Sequence, residues 1–288
     1  MSKILLTGVD GFTGKYLVNH LMNQGKECLS LDVDLTKKDL VEQSINDLCN
    51  AYDIEAVIHL AAISFVQHEN LDEIYRVNVI GTENLLSGLA KANIAPKVIL
   101  ASSANIYGIP PNERPLEEDC CPSPINHYAC SKFSMEMMAR NFRNKFPIII
   151  VRPFNYTGVG QSTQFLVPKI VSHFIHRAPE IELGNLDIKR DFSSINDVCT
   201  VYEKLLLIKD PYTVVNIASA RLVSIREILS FCEAVTGHCI SVQQNSAFVR
   251  NVDIPAMSGS NQKLKALIGF TPTNENFWLE LKQMLKTD

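Results

Sequence analysis

Two kinds of hydrophobic pattern alternate along the first third of the chain. KILLTG (3–8), ECLSLDV (27–33) and AVIHLAA (56–62) are short runs of mostly adjacent apolar residues. GKYLVNHLMNQG (14–25), KDLVEQSINDLCNAY (38–52) and ENLLSGLAKANI (83–94) instead repeat apolar residues every three or four positions. Runs of the first kind, bounded by turn residues, predict buried strands, and the second spacing predicts helices with one apolar face. Strands alternating with helices of this length predict βαβ units, hence an α/β fold with a doubly wound parallel sheet covered on both sides. Farther on the alternation is looser, with VYEKLLL (201–207) helical and TVVNIA (213–218) strand-like. No segment repeats at a fixed period and none is of low complexity.

Composition changes this picture mainly by exclusion. A chain of 288 residues suits one large or two modest domains, at roughly 100–200 residues each. Lys plus Arg number 27 against 31 Asp plus Glu, a net charge of -4, so no global basic field draws in nucleic acid or acidic lipid. The apolar runs, VIHLAAI and FPIIIV included, stay far below the ~18 residues of a membrane helix. MSKILLTG at the start reads as a buried strand and lacks the length of a signal peptide. A cytoplasmic protein acting on a small molecule is the expectation. The eight cysteines form no CxxC pair or zinc spacing and are expected to be reduced. His173 and His176 could share a helix face, but no third ligand lies nearby in sequence, and no metal site is expected.

The first predicted strand runs into GVDGFTG (8–14), with Gly8, Gly11 and Gly14. A glycine turn between a strand and a helix lets backbone amides at the helix N-terminus approach a pyrophosphate, so this is a candidate site for NAD or NADP. The second strand ends in LDVDL, where Asp32 stands at the position of an acid that binds the ribose hydroxyls of NAD. Asp34 is a rival for that role, and the alternative is that both aspartates only cap a loop. No arginine is close enough in sequence to hold a 2′-phosphate, which tilts toward NAD, although Lys37 or Lys38 could fold back.

Two later stretches carry chemistry. NHYACSK (126–132) puts Tyr128 and Lys132 four residues apart on one face of a predicted helix, where the ammonium can stabilise a developing phenolate. A tyrosine ordinarily titrates at about 10; beside a cation it can exchange protons closer to neutral pH. In ASSANIYG (101–108), Ser103 at a strand end can donate to an oxygen on which charge develops. Together these three make a ketone/alcohol site beside a nicotinamide.

With the glycine turn, the set HLAA (59–62), SSANIYG (102–108), Tyr128 to Lys132 and RPFNYTGVG (152–160) resembles the extended short-chain dehydrogenase/reductases, the NAD-dependent epimerase/dehydratase family, over nearly the whole chain. The resemblance implies an NAD(P)-dependent oxidoreductase with a Rossmann domain over 1–160, to which 192–218 returns. A smaller α/β substrate lobe is implied for 161–191 and 219–288. Implied cofactor contacts are Gly8, Gly11, Phe12, Thr13, Gly14, Asp32, Asp34, Leu35, Leu60, Ala61, Ala62, Tyr128, Lys132 and Pro153. FNYTGVGQ, FLVPKIV, LGNLDIKRDF with SINDV, and RNVDIPAMSGSNQKLKALIGFTP resemble, more narrowly, the branch of GDP-4-keto-6-deoxy-mannose reductases.

A nucleoside diphosphate sugar carries two negative charges, so its pocket should provide guanidinium forks or amide donors. Arg190 and Arg250 are the candidates, joined by Asn155, with Asn105 beside the sugar. For Arg190 the alternative is a salt bridge with Asp191 or Asp197, and for Arg250 a solvated loop charge. By resemblance, Asp253 accepts from a ribose hydroxyl, and Val167, Lys169, Leu183 and Asn185 lie around the base. The family's dimer, built on the helices of HYACSKFSMEMMARNF and ENLLSGLAKA, implies a homodimer here. Met135, Met137 and Met138 fit equally well as gap-filling core residues.

One absence narrows the reaction. The family's 4,6-dehydratases remove a proton from C5 with a carboxylate placed just after the serine or threonine. Here those positions are Ala104 and Asn105. Its 3,5-epimerase/reductases use a cysteine near the same place, which Asn105 also occupies. Plain hydride transfer remains, in one of two forms. Either NAD(P)H reduces the C4 ketone of a GDP-4-keto-6-deoxyhexose to a rhamnose- or talose-type product, or the same three residues run a 4-epimerisation. A non-catalytic NAD(P)-binding regulator is a third reading; such chains usually lose the tyrosine or the lysine, and this one keeps both.

Overall fold

The computed structural model of the protein describes residues 2–64, 70–110, 112–245 and 254–286. β1 (Lys3–Thr7) leads through the glycine turn into α1 (Phe12–Asn23), and β2 (Cys28–Ser30) into α2 (Lys38–Ala51). β3 (Ile54–His59) is followed by α3 (Leu71–Tyr75), a π-helical turn over Arg76–Gly81 and α4 (Thr82–Lys91). Then come β4 (Lys97–Ala101), a short 3₁₀ turn (Ala104–Tyr107), α5 (His127–Ala139), β5 (Ile148–Pro153) and β6 (Asn155–Thr157). Beyond these run α6 (Leu166–Ile175), β7 (Glu180–Leu183), β8 (Lys189–Ser194), α7 (Ile195–Leu205) and β9 (Tyr212–Ile217). The rest comprises β10 (Leu222–Ser224), α8 (Ile225–Thr236), β11 (Ser241–Gln244), β12 (Ala256–Met257), α9 (Gln262–Ile268) and α10 (Asn274–Met284). The second strand is shorter than its apolar run, because the chain leaves it at Leu31 for a loop in which Asp32 and Asp34 are exposed.

Six strands make one parallel sheet in the order β2-β1-β3-β4-β5-β9. Successive side chains on a strand point to opposite faces. Ile4 and Leu6 therefore enter the core under α1 and α7, with Leu17, Leu21, Val198 and Tyr202, while Leu5 joins Val41, Ile45, Leu85, Leu89 and Met135 under α2, α4 and α5. Both faces being buried explains why these strands read as unbroken apolar runs. Met135 is a core residue, 1% exposed, and Met138 packs against the same cluster. Because β1 lies between β2 and β3, the winding reverses at β1/β3, which opens a crevice at their C-terminal ends.

The remaining strands form smaller sheets. β8 pairs with β10, β12 and β6, and β7 pairs with β11. Their apolar faces meet α6, α8 and α10 in a separate cluster around Phe174, Phe192, Ile228, Phe277 and Leu281. β6 follows β5 after Phe154 alone and pairs in parallel with β8, so this short strand joins the large sheet to the small ones.

Candidate active site

At the crevice, the turn after β1 packs directly on the end of β3. Gly8 has a φ of 72°, and a Cβ there would lie 2.7 Å from the Ala61 nitrogen. Gly14, in the first turn of α1, faces back onto the same turn, where a Cβ would lie 2.1 Å from the Gly8 carbonyl oxygen. Gly11 is the N-cap of α1, and no side chain caps the helix. The first-turn N–H groups thus have no side-chain acceptor from the N-cap. That arrangement fits a dinucleotide pyrophosphate on a helix N-terminus.

Around it, Phe12 and Thr13 are half-buried, as are Leu60, Ala61 and Ala62. Leu35 is buried, its carbonyl accepting from Asn84 Nδ2 at 2.8 Å. Asp34 accepts from the Thr36 N–H at 2.9 Å and from the Thr36 hydroxyl at 2.7 Å, which lowers its pKa. Its carboxylate is therefore committed to the loop, while Asp32 remains exposed.

Ser103 follows β4 and caps the 3₁₀ turn by accepting from the Asn105 N–H at 3.2 Å. Tyr128 and Lys132 come from α5, whose start is fixed by Asn126 accepting from the Ala129 N–H at 2.8 Å. All three are buried: Ser103 is 8%, Tyr128 7% and Lys132 4% exposed. Lys132 Nζ donates to the Ala101 carbonyl at 2.8 Å, which ties α5 to the end of the strand that presents Ser103.

Burial pushes the Tyr128 phenol up to about 12, with a hydrogen bond from Ser103 pulling the other way and the nearby Tyr156 adding to the rise. Burial also pushes Lys132 down to about 8, against the upward pull of Glu136. Desolvation of the phenol is the largest influence on Tyr128, and the Lys132 ammonium, with one bond to the Ala101 carbonyl, keeps further protons to donate. Tyr128 is held as a neutral proton donor.

Two buried networks stand behind these residues. In one, Arg152 grips Glu136 through Nε–Oε1 at 3.0 Å and Nη2–Oε2 at 2.7 Å, and Ser102 Oγ donates to the same carboxylate at 2.5 Å. Arg152 Nη1 also donates to the Tyr107 hydroxyl at 2.9 Å, which donates in turn to Asn216 Oδ1 at 2.8 Å. In the other, His59 lies between Thr7 Oγ1 (2.7 Å from Nδ1) and Thr82 Oγ1 (2.8 Å from Nε2). Burial and the charge of Lys132 push this imidazole down to about 3. Asn78, on the π-helical turn, donates to Ser131 Oγ at 3.0 Å, and Ser131 donates to the Tyr128 carbonyl at 2.8 Å. Glu136, Arg152, His59 and Asn78 were not singled out from the sequence; an acid four residues past Lys132 on its helix face was the available signal for the first.

Set against known proteins, residues 4–218 match the profile of the NAD dependent epimerase/dehydratase family. The chain belongs to this family. It is 38% identical over 269 residues to a GDP-6-deoxy-D-talose 4-dehydrogenase of Aggregatibacter actinomycetemcomitans, covering 93% of this chain and 91% of that one. A GDP-6-deoxy-D-mannose reductase of Pseudomonas aeruginosa is 28% identical over 295 residues, covering 99% and 95%. The structure of RMD from Pseudomonas aeruginosa complexed with NADPH superposes with a TM-score of 0.89 at 26% identity, covering 99% of this chain and 98% of that one.

As a member of the epimerase/dehydratase family, the chain has its second group of expected contacts on and around β6 and β8. Asn155 is exposed on β6 and donates from Nδ2 to the Asp191 carbonyl at 3.2 Å. Arg190, half-buried on β8, donates from Nη1 to the Lys189 carbonyl at 2.8 Å. Both acids weighed as its ion-pair partners have their carboxylates engaged elsewhere. The Asp191 carboxylate accepts from Ser219, Ala220 and Gly259, and Asp197 accepts from Thr273 and Asn276.

Val167 and Leu183 are 3% and 2% exposed, closed into the apolar cluster under α6 and β7, so their side chains are spent on packing. Lys169 donates to the Glu182 carbonyl at 2.7 Å, and Asn185 accepts from the Asp187 N–H at 3.0 Å. Asn105 and Pro153 are half-buried near the site. Arg250 and Asp253 lie outside the described residues. His173 and His176 each bond a carbonyl of their own helix, and among the described residues no group of three or more His, Cys, Asp or Glu could hold a metal ion. No helix among those residues is long and apolar enough to cross a membrane.

Proposed function

We propose that this chain uses NAD(P)H to reduce the C4 ketone of a GDP-linked 4-keto-6-deoxyhexose, and runs the reverse oxidation at the same site. The observation that carries the reading is a neutral, buried phenol at Tyr128 beside Ser103, with Ala104, Asn105 and Ile106 where an eliminating enzyme of this family would need an acid. The relatives named for GDP-6-deoxyhexoses support the nucleotide and the sugar.

Bound nicotinamide supplies the hydride. Tyr128 gives its proton to O4 while Ser103 donates a hydrogen bond to the same oxygen, and Lys132 holds α5 and the end of β4 in register. The dinucleotide rests on the backbone of Gly8, Gly11, Phe12, Thr13 and Gly14, with Leu35, Leu60, Ala61, Ala62 and Pro153 around it and Asp32 on a ribose. Asn105 and Asn155 face the sugar and Arg190 the diphosphate. The dinucleotide-binding part is 1–160 with 192–218, and the protein works as a cytoplasmic homodimer; a sedimentation mass equal to the 32.2 kDa chain would exclude the dimer.

The test is incubation with NADPH or NADH and GDP-4-keto-6-deoxy-mannose generated in situ. Nicotinamide oxidation in step with a new GDP-6-deoxyhexose is the expected result. No oxidation, with interconversion of intact sugar nucleotides in the absence of added reductant, would replace this reading by 4-epimerisation.

A further inference from the structure

We infer that Tyr156 is a positioning residue that couples the dinucleotide turn to the strand facing the sugar nucleotide. The inference rests on the dinucleotide reading of that turn. Tyr156 and Asn155 are neighbours on β6 and so project to opposite faces. Asn155 reaches β8 through the Asp191 carbonyl at 3.2 Å. Tyr156 reaches the other way, its hydroxyl 2.8 Å from Thr13 Oγ1 in the first turn of α1. Its ring stacks on Phe12, with centroids 6.4 Å apart and planes 14° from parallel.

The same segment is held at two further points. Tyr16, edge-on to Phe12 at 5.4 Å, donates from its hydroxyl to the Val159 carbonyl at 2.9 Å. On the far side, buried Glu280 accepts from the Val159 N–H at 3.4 Å and from Ser194 Oγ, at the end of β8, at 2.9 Å. Residues 156–159 are thus gripped between the helix start that carries the exposed amides and the strand that carries Arg190. A displacement of β6 is passed to Thr13 through this hydroxyl pair, beside the Phe12 stacking and the Tyr16–Val159 bond. Sugar-nucleotide contact on β6 and β8 therefore tightens the turn around the cofactor, and by linkage the cofactor tightens the sugar-nucleotide site by the same factor.

Equilibrium titration of the purified protein with NADPH, read by nicotinamide fluorescence with and without GDP as the probe, tests this in the wild type, Tyr156→Phe, Thr13→Val, the double variant and Thr13→Ser. In the wild type GDP should tighten NADPH binding by about 5-fold or more. Tyr156→Phe keeps the ring and loses the hydroxyl; NADPH affinity should fall by roughly 3- to 10-fold, and the effect of GDP should weaken. Thr13→Val should do the same from the other side of the bond, including if Tyr156→Phe does not fold. The double variant should be no worse than either single one, and Thr13→Ser, which keeps the hydroxyl, should regain the GDP response that is weakened in Thr13→Val. Wild-type affinity and GDP response in both single variants would overturn the proposal, as would additive losses in the double variant. A wild type that binds NADPH but ignores GDP would also overturn it, whereas a wild type that binds neither NADPH nor NADH would overturn the dinucleotide reading itself.

Discussion

Replacing Gly14 by alanine tests the cofactor turn at its tightest point. In an ordinary helix interior the change favours folding by about 1 kcal/mol. Here the added carbon would sit 2.1 Å from the Gly8 oxygen, 2.6 Å from Val9 Cα and 2.8 Å from the Val9 carbonyl carbon. Contacts between non-bonded atoms are most favourable at about 3.5–4.0 Å, so the Gly8–Val9 backbone must retreat by roughly 1 Å. Overfilling of this kind costs about 1–3 kcal/mol, leaving a net loss of about 0–2 kcal/mol after the helix gain.

The functional loss should be far larger, because the retreating segment is the turn on which the pyrophosphate would rest. A misplacement of about 1 Å is worth roughly 100-fold in well-fitted sites. Gly25, just past the other end of α1, provides the comparison. It has a φ of 72° with nothing within 4 Å of a built Cβ, so Gly25→Ala should cost about 1 kcal/mol in stability and nothing in binding. Urea unfolding and NADPH titration of both variants make the assay. Gly14→Ala binding NADPH within about twofold of wild type, or Gly25→Ala losing binding equally, would refute the argument that this contact shapes the cofactor site.

Further perturbations follow from the same geometry. Tyr128→Phe should lower kcat by about 10²–10⁴-fold with NADPH affinity retained, because only the proton donor is removed; comparable turnover would discard its role. Since Lys132 is pushed down to about 8 while Tyr128 stays protonated well above that, kcat/KM should fall as pH rises through about 8, when the ammonium loses its charge. A profile flat to pH 9.5 would contradict this. His59, pushed down from 6.5 to about 3, stays neutral in the folded state while the unfolded chain takes up its proton, so stability is lost as pH falls below 6.5. That contribution is about 2 kcal/mol between pH 7 and pH 5, and His59→Gln should reduce the acid slope of urea unfolding by that amount. Removing one partner of the buried Glu136–Arg152 pair should cost about 3–5 kcal/mol, and Glu136→Met with Arg152→Met together less than Glu136→Met alone; equal melting curves for Glu136→Met and wild type would show the pair to be dispensable.

What the sequence disclosed was mainly what is local. An apolar run on a doubly covered strand, a glycine turn before a helix and a tyrosine four residues from a lysine are all written within short windows, and each occurs where expected. Partnerships across the chain are not written that way. Thr13 and Tyr156 are 143 residues apart, Tyr107 and Asn216 109, and their types do not name each other. Spacing shows that Lys132 is near Tyr128 but says nothing of burial, which is the largest influence on that phenol. Leu183 lies on a strand, EIEL, whose alternating polar and apolar residues already point to a core position; the likeness of the surrounding phrase drew it toward the base instead. The π-helical turn at Arg76–Gly81 leaves no mark in composition at all.

The row of groups through His59 also has a direction. The Ala61 N–H donates to Thr7 Oγ1, and Thr82 donates its proton to the Asn78 carbonyl. With that proton committed, Thr82 must accept from His59 Nε2, which leaves Nδ1 to accept from Thr7. All hydrogens point the same way, and both ends are peptide groups that cannot exchange roles. A proton wire has to reverse after every passage, and this one would need a carbonyl to donate before it could. It is an insulator of aligned dipoles, fixed at both ends by the backbone.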